Sequence, residues 1–365
     1  MMHINRQYVF SQHTFTRRKE SFILLLTGLT MGLALTIVMA VCLGTVKIVP
    51  EEACRILLYK LFHLTGNDIL GPISAIHTDI IWKIRLPRVL LAVIAGAGLA
   101  ACGTVMQASV QNPLADPYIL GIAAGASLGA TFSILLTGAG AFAGLGTAFW
   151  AFVGALAACL LVLALAGIGG RLSTVKMILA GTIASALFSA LASCIIYLAG
   201  NAEGIRTVTF WTMGSLAAAK WSGLALPALG VVLGCFFFLI HSRQLNILLL
   251  GEEAATTLGI DLAKVRRRNL IVTALITGLI VAACGVIGFV GLIIPHIVRG
   301  FVGSDHRRLL PASILVGALF LTWADVLARS VLASGELPIG IITALSGAPF
   351  FLYILCKSSF GFTSK

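Results

Sequence analysis

The sequence predicts an all-α polytopic membrane protein, and three observations carry that prediction. Hydrophobic residues fill 59% of the 365 positions and charged residues only 10%, against roughly 25% charged in an ordinary soluble domain. A soluble chain of this size has too little polar surface to cover so much apolar material. The apolar residues also fall in runs near the ~20 residues an α-helix needs to cross a bilayer, without the short alternating segments of a barrel. Finally, there are 39 glycines and only 8% aromatics; small residues let helices approach closely in lipid.

Taken in order, residues 1–21 are polar and close on Arg17, Arg18 and Lys19, which reads as a cytoplasmic segment. The apolar run 22–46 that follows exceeds the 7–15 residues of a signal-peptide core, so it reads as a retained first span. The arginine pair also resembles a twin-arginine signal, but a cytoplasmic anchor explains it without further assumption. Residues 47–85 are the longest polar stretch. Apolar runs then cover 86–108, 117–138, 147–169, 175–200, 222–241, 270–287, 309–330 and 337–356. One more, 288–303, holds Gly291, Pro295 and Gly300 and reads as a short or broken crossing with His296 at its break. That gives about ten transmembrane helices in a single transmembrane domain, 22–356, with a cytoplasmic loop at 242–269 and a tail at 357–365.

Charge sets the orientation. With both termini inside and ten crossings, 16 of the 25 basic residues lie on the inner side and 9 on the outer, as the positive-inside rule requires. The net charge of +12 is thereby explained without nucleic acid as a partner. The eight cysteines form no C-x-x-C pair and read as packing residues, giving neither a disulfide framework nor a metal site.

Several activities are poorly supported. No Lys follows a Gly, so the phosphate-binding loop of an ATPase is missing. Asp325 is the one acidic residue well inside an apolar run, with Arg329 one turn on. It would be the relay of an ion-coupled carrier, but a pair with Arg329 explains it more simply. Gly125-Ala126-Ser127-Leu128-Gly129 matches the G-x-S-x-G pattern of serine hydrolases, yet that pattern needs a strand–turn–helix setting. Gly121, Gly125 and Gly129 instead read as a helix-packing ridge. No catalytic residue, no metal site and no bound cofactor is expected.

The loop 242–269 carries more information. Gly251, Glu252, Glu253, Ala254, Ala255, Leu258 and Gly259 read as a short surface helix: acidic residues at its start, small residues on one face, and a glycine to end it. Glu253-Ala254-Ala255 with Gly259 resembles the E-A-A…G loop of ATP-binding-cassette importer permeases. Ile84-Arg85-Leu86-Pro87-Arg88, Gln111-Asn112-Pro113-Leu114-Ala115-Asp116-Pro117 with Leu120-Gly121, and Gly288-Phe289-Val290-Gly291-Leu292-Ile293-Ile294-Pro295-His296 resemble three further blocks of one subgroup. Asp305-His306-Arg307 and Glu336-Leu337-Pro338-Ile339-Gly340 continue the series, in order over about three quarters of the chain. The subgroup is the FecCD-type permease family for ferric siderophores, haem and vitamin B12.

The resemblance implies a type II importer fold of ten helices and a core of two permeases, the same or related. It implies two separate ATPase subunits that use ATP and Mg, an extracytoplasmic binding protein, and the cytoplasmic (inner) membrane as the location. It maps ATPase coupling onto Gly251 to Gly259 and binding-protein docking onto Arg85, Arg88 and Arg329. The pathway maps near Phe210, Trp211 and Met213, residues that would equally suit an interfacial aromatic belt. Ferric siderophores are the expected cargo, with haem or vitamin B12 as the alternative.

Overall fold

The computed structural model describes residues 2–44, 46–62, 74–136, 146–168, 173–251, 255, 257–332 and 335–359. Among them, seven helices are long and apolar enough to cross a membrane: Glu20–Cys42, Ala75–Val110, Gly146–Gly167, Thr174–Ala199, Trp221–Ile240, Leu262–Cys284 and His306–Ala328. Ile122–Leu136, Val290–Val302 and Ile339–Ile354 are apolar but shorter. Each of the ten apolar runs therefore corresponds to a helix, and three fall below the ~20 residues of a full perpendicular crossing.

The first helix, α1 (Met2–Cys42), is peripheral, with 6% of its apolar window buried. An amphipathic α2 (Pro50–Phe62) follows. A short α3 (Ala75–Asp79) then runs through a π-helical turn, Ile80–Arg85, into α4 (Leu86–Val110). Pro87 explains the wide turn: it lacks an N–H and its ring would strike the carbonyl one turn earlier. The apolar window of this continuous helix is 83% buried, which makes α4 the central element.

What lets α4 sit centrally is its lack of side-chain bulk. A methyl group at Gly96 would lie 2.2 Å from the Gly317 carbonyl oxygen, and one at Gly103 would lie 1.8 Å from that of Gly291. Both are backbone-on-backbone crossings of the small-residue type. They join α4 to α13 (His306–Ala328) and to α12 (Val290–Val302).

The remaining helices are α5 (Ile122–Leu136), α6 (Gly146–Gly167), α7 (Thr174–Ala199), α8 (Ala202–Thr212), α9 (Trp221–Ile240), α10 (Ser242–Leu248), α11 (Leu262–Cys284) and α14 (Ile339–Ser359). Three apolar cores result among the described residues. One joins α4 to α9, α10, α11, α12 and α13; a second joins α5, α6 and α7, with α4 and α11 reaching into both; a third packs the end of α1 and α2 on the π-turn, the start of α4 and Val326 of α13. Gly125 and Gly129 do pack helix on helix, against the carbonyls of Gly154 and Trp150.

The structure shifts three sequence expectations. The run 117–138 begins as a 3-10 turn, Pro117–Leu120, closed by Gly121 at φ 69°. Gly121 is thus a left-handed cap outside the packing ridge. The short crossing is not broken, because α12 is continuous through Pro295 and the irregular backbone lies before it, at 285–289. His296 accordingly sits mid-helix, edge-on to Phe350.

Candidate functional site

At the end of the bundle where α1 finishes and α4 begins, three arginines gather, two of them on the carboxylate of Asp325. The π-turn swings Arg85 and Arg88 inward. Arg88 Nε donates to Asp325 Oδ1 at 2.7 Å, and its Nη1 donates to Glu336 Oε2 at 2.6 Å. Arg329 Nε lies 3.3 Å from Asp325 Oδ2. Its remaining donors go to the carbonyls of Ala40 and Leu43, while Arg85 donates to those of Val41, Cys42 and Val46. These carbonyls end or follow α1 and have no helical partner of their own.

Sequence reasoning expects Arg85, Arg88 and Arg329 as outward docking cations. In the folded chain they are only 5–6% exposed, and their guanidinium donors hold α1, α4, α13 and the segment before α14 together. The Asp325–Arg329 pair is present as the spacing predicts, with Arg88 as an added partner that the sequence did not reveal. A carboxylate held between two permanent cations is a structural anchor and a poor proton relay.

At the opposite end, the loop after α10 is fixed at its base. Asn246 on α10 donates from Nδ2 to Asp305 Oδ1 at 2.7 Å, and its Oδ1 accepts from the His306 backbone N–H at 2.8 Å. Asp305 also caps α13, accepting from the Arg307 N–H at 3.0 Å. Partial burial pushes the Asp305 carboxyl up, but the Asn246 amide, the Arg307 N–H and the charges of Arg307 and Arg308 hold it below its ordinary value. Gln111 ends α4 in the left-handed conformation, φ 54°. It donates to the Leu248 carbonyl and accepts from Arg266 at 3.3 Å. One turn earlier, Gln107 donates to the Leu292 carbonyl at 3.2 Å and accepts from Arg299 at 2.8 Å. The end of α10 is thus tied to α4, α11 and α13.

Beyond that base, Gly251 and Gly259 take φ of 95° and 75°, conformations that favour glycine. Ala255 is fully buried, its N–H donating to the Gly251 carbonyl and its carbonyl accepting from Ile260. Leu258 is 60% exposed, as are Leu249 at 45% and Leu250 at 63%. Glu252, Glu253 and Ala254 lie outside the described residues.

Phe210 and Met213, at the end of α8, are exposed, whereas Trp211 packs on the core of α5, α6 and α7. The backbone just after them forms a knot. Ser215 N–H donates to the Cys284 carbonyl at 2.8 Å, and Ile339 N–H donates to the Gly214 carbonyl at 3.1 Å. Gly285 and Gly340 admit the carbonyls of Trp211 and Met213 within 2.3 and 2.2 Å of where a methyl would stand. Tyr118 joins the same knot, donating from its hydroxyl to the Ile287 carbonyl at 3.1 Å. Ser127 sits in a helix, the wrong setting for a hydrolase nucleophile. Among the described residues, no group of three or more His, Cys, Asp or Glu could hold a metal ion.

Sequence reasoning gave no role to Gln107, Gln111, Asn246 or Glu336. Gln111 and Glu336 stand in blocks that resemble the family's, and Asn246 is a lone amide within the apolar run Leu245–Leu250.

Comparison with known proteins gives the family. The sequence pattern of the FecCD transport family matches residues 32–357. The chain is 37% identical over 333 residues to the hemin transport system permease protein HmuU of Yersinia pestis, covering 90% of this chain and 96% of that one. It is 38% identical over 333 residues to the vitamin B12 import system permease protein BtuC of Klebsiella pneumoniae, covering 91% and 93%. A solved metal-chelate type ABC transporter in an inward-facing conformation superposes with a TM-score of 0.76 at 34% identity, covering 91% of this chain and 98% of that one. A buried arginine cluster at one end, an anchored glycine-bounded loop at the other and a family match over nearly the whole chain lead to one assignment: this protein belongs to the FecCD transport family and is a membrane permease of an ABC importer.

Proposed function

We propose that the chain carries a metal chelate, a ferric siderophore, from an extracytoplasmic binding protein into the cytoplasm through a path shared with a second permease, identical or related. Two separate ATPase subunits supply the energy with ATP and Mg, and the segment Gly251–Gly259 receives their motion. Both termini face the cytoplasm of the inner membrane. The observation that carries the coupling reading is the contrast within the inner loop. Its base is hydrogen-bonded to three helices through Asn246 and Gln111, while Leu249, Leu250 and Leu258 are left exposed. An anchored base with an apolar surface around it suits a partner that must push.

On this reading Phe210 and Met213 face the passing ligand. The arginines serve the binding protein by keeping the mouth in shape, with the half-exposed Glu336 at its rim. A second reading, haem or vitamin B12 as cargo, is favoured by the names of the relatives. Uptake by the complete transporter in vesicles, with labelled ferric siderophore, haem and cobalamin offered in parallel, separates the two. Glu253→Arg should abolish uptake of the true cargo while the chain remains folded in the membrane. Normal uptake by that variant would remove the loop from the coupling role.

A further inference from the structure

A cavity of about 670 Å³ opens between α4, α6, α9 and α11, a volume in the range that holds one small-molecule ligand. Its lining includes none of the three arginines and no residue of the inner loop, although Leu91 lies about one turn from Arg88 and Ala283 directly precedes Cys284 of the α8 knot. Its walls include Leu91, Phe149, Phe152, Leu226 and Leu279, and the only polar side chains in its lining are Lys220 and Ser222.

The polar end is marked by chemistry. Lys220 is exposed and immediately precedes α9, and among the described residues no carboxylate lies within ion-pair distance of it. Beside it, Trp221 and Trp82 pack with ring centroids 4.9 Å apart, and Trp221 Nε1 donates to the Trp82 carbonyl at 2.7 Å. Tryptophans of this kind sit at the headgroup level of a bilayer. From Lys220 to Pro227 the α9 wall descends seven residues, about 10 Å at the helical rise, and all of its polar groups stay at the top. Leu226 and Phe149 are 63% and 43% exposed, so the cavity communicates laterally with lipid.

We propose that this cavity binds one anionic phospholipid of the leaflet that Lys220 faces. An acyl chain fills the apolar slot, and the phosphate pairs with Lys220 and accepts from the Ser222 hydroxyl. Charge decides between lipid classes. A zwitterionic headgroup brings its own cation to Lys220, whereas a net-negative one does not. A second copy of the chain is a poorer occupant, because a recessed slot with a single cation offers no matching flat apolar face.

The test is native mass spectrometry of the full-length chain in mild detergent, titrated separately with phosphatidylglycerol and phosphatidylcholine of matched acyl chains. The wild type should retain phosphatidylglycerol preferentially. Lys220→Gln should reduce that preference about fivefold, the worth of one cation near the headgroups. Gly223→Leu adds bulk to the lining at a position where a methyl would meet nothing within 4 Å, and should lower retention of both lipids. Equal retention of the two lipids by the wild type would overturn the proposal, as would an unchanged preference in Lys220→Gln. Efficient disulfide cross-linking of two copies through cysteine at Leu226 would also overturn it, by making this face a protein interface.

Discussion

Asp325→Ala should be among the most destabilising single substitutions in this chain. The Asp325 side chain is fully buried, and those of Arg88 and Arg329 are 8% and 5% exposed, so solvent screening does little to soften their interaction. Removing the carboxylate leaves the buried Arg329 guanidinium without a counter-charge and Arg88 with Glu336 alone, a change that costs about 3–5 kcal/mol. At about 2 °C per kcal/mol for a large domain, the melting temperature falls by about 6–10 °C. Glu336→Ala is the control. It breaks a comparably short contact with Arg88, but the Glu336 side chain is 44% exposed, and a pair so wetted is worth about 1 kcal/mol or less. Thermal unfolding of the two variants in the same detergent should therefore differ several-fold in effect. Replacing Arg329 by Met together with Asp325→Ala should recover part of the loss, because fewer charges remain stranded. Equal shifts for Asp325→Ala and Glu336→Ala would refute this account. Full stability of Asp325→Ala with transport lost would refute it differently, by giving the carboxylate a chemical task.

Gly103→Ala places a methyl 1.8 Å from a backbone oxygen that belongs to another helix, so it should lower stability by about 1–3 kcal/mol; Gly223→Ala, which meets nothing, should leave the melting temperature unchanged. Asn246→Ala and Gln111→Ala each remove hydrogen bonds worth about 1 kcal/mol apiece, a modest loss of stability. Their larger effect should be on substrate moved per ATP hydrolysed by the assembled transporter, and an unchanged ratio in both would remove the loop base from the transmission route.

The sequence is most informative where one physical signal dominates. Apolar runs locate the seven helices long enough to cross and the three shorter apolar ones, because lipid forbids unsatisfied backbone, and the Gly125–Gly129 spacing announces a packing face. It is less informative where partners lie far apart in the chain. The spacing of Asp325 and Arg329 exposes their pair, but nothing local ties Arg88 to a carboxylate 237 positions away. For the same reason Arg85 reads as an interfacial cation until the carbonyls of Val41, Cys42 and Val46 are placed around it. Boundaries drift where backbone conformation departs from apolar pattern. Gly121 belongs to an unbroken apolar stretch, yet it closes a 3-10 turn. The stretch around Phe289 is equally apolar, and there a non-glycine residue takes φ 68°, with its ring against Gly347 at a point where a methyl group would clash.

The two ends of the bundle are linked by a contact that has little room to yield. At Gly96 and Gly317 the backbones of α4 and α13 touch directly, so no flexible side chain lies between them to absorb a displacement. Asn246 and Gln111 attach the inner loop to these same two helices, and Arg88 and Asp325 pin the helices together at the far end. For the 23 residues of α13 that is a lever of about 35 Å. The α5–α7 group is packed around another core, and its hydrogen bond to the end of α4, from the Thr174 hydroxyl to the Val110 carbonyl at 3.1 Å, is made by a side chain. A push at Gly251–Gly259 should therefore carry α4 and α13 as one body, moving the arginine cluster relative to α5, α6 and α7. Spin labels at Leu249 and Leu327, both exposed, should keep their separation between the nucleotide-free and ATP-bound transporter, while labels at Leu249 and Phe149 change theirs. Equal changes in the two distances would mean that α4 and α13 slide past each other, and the glycine crossing would then be a bearing and not a weld.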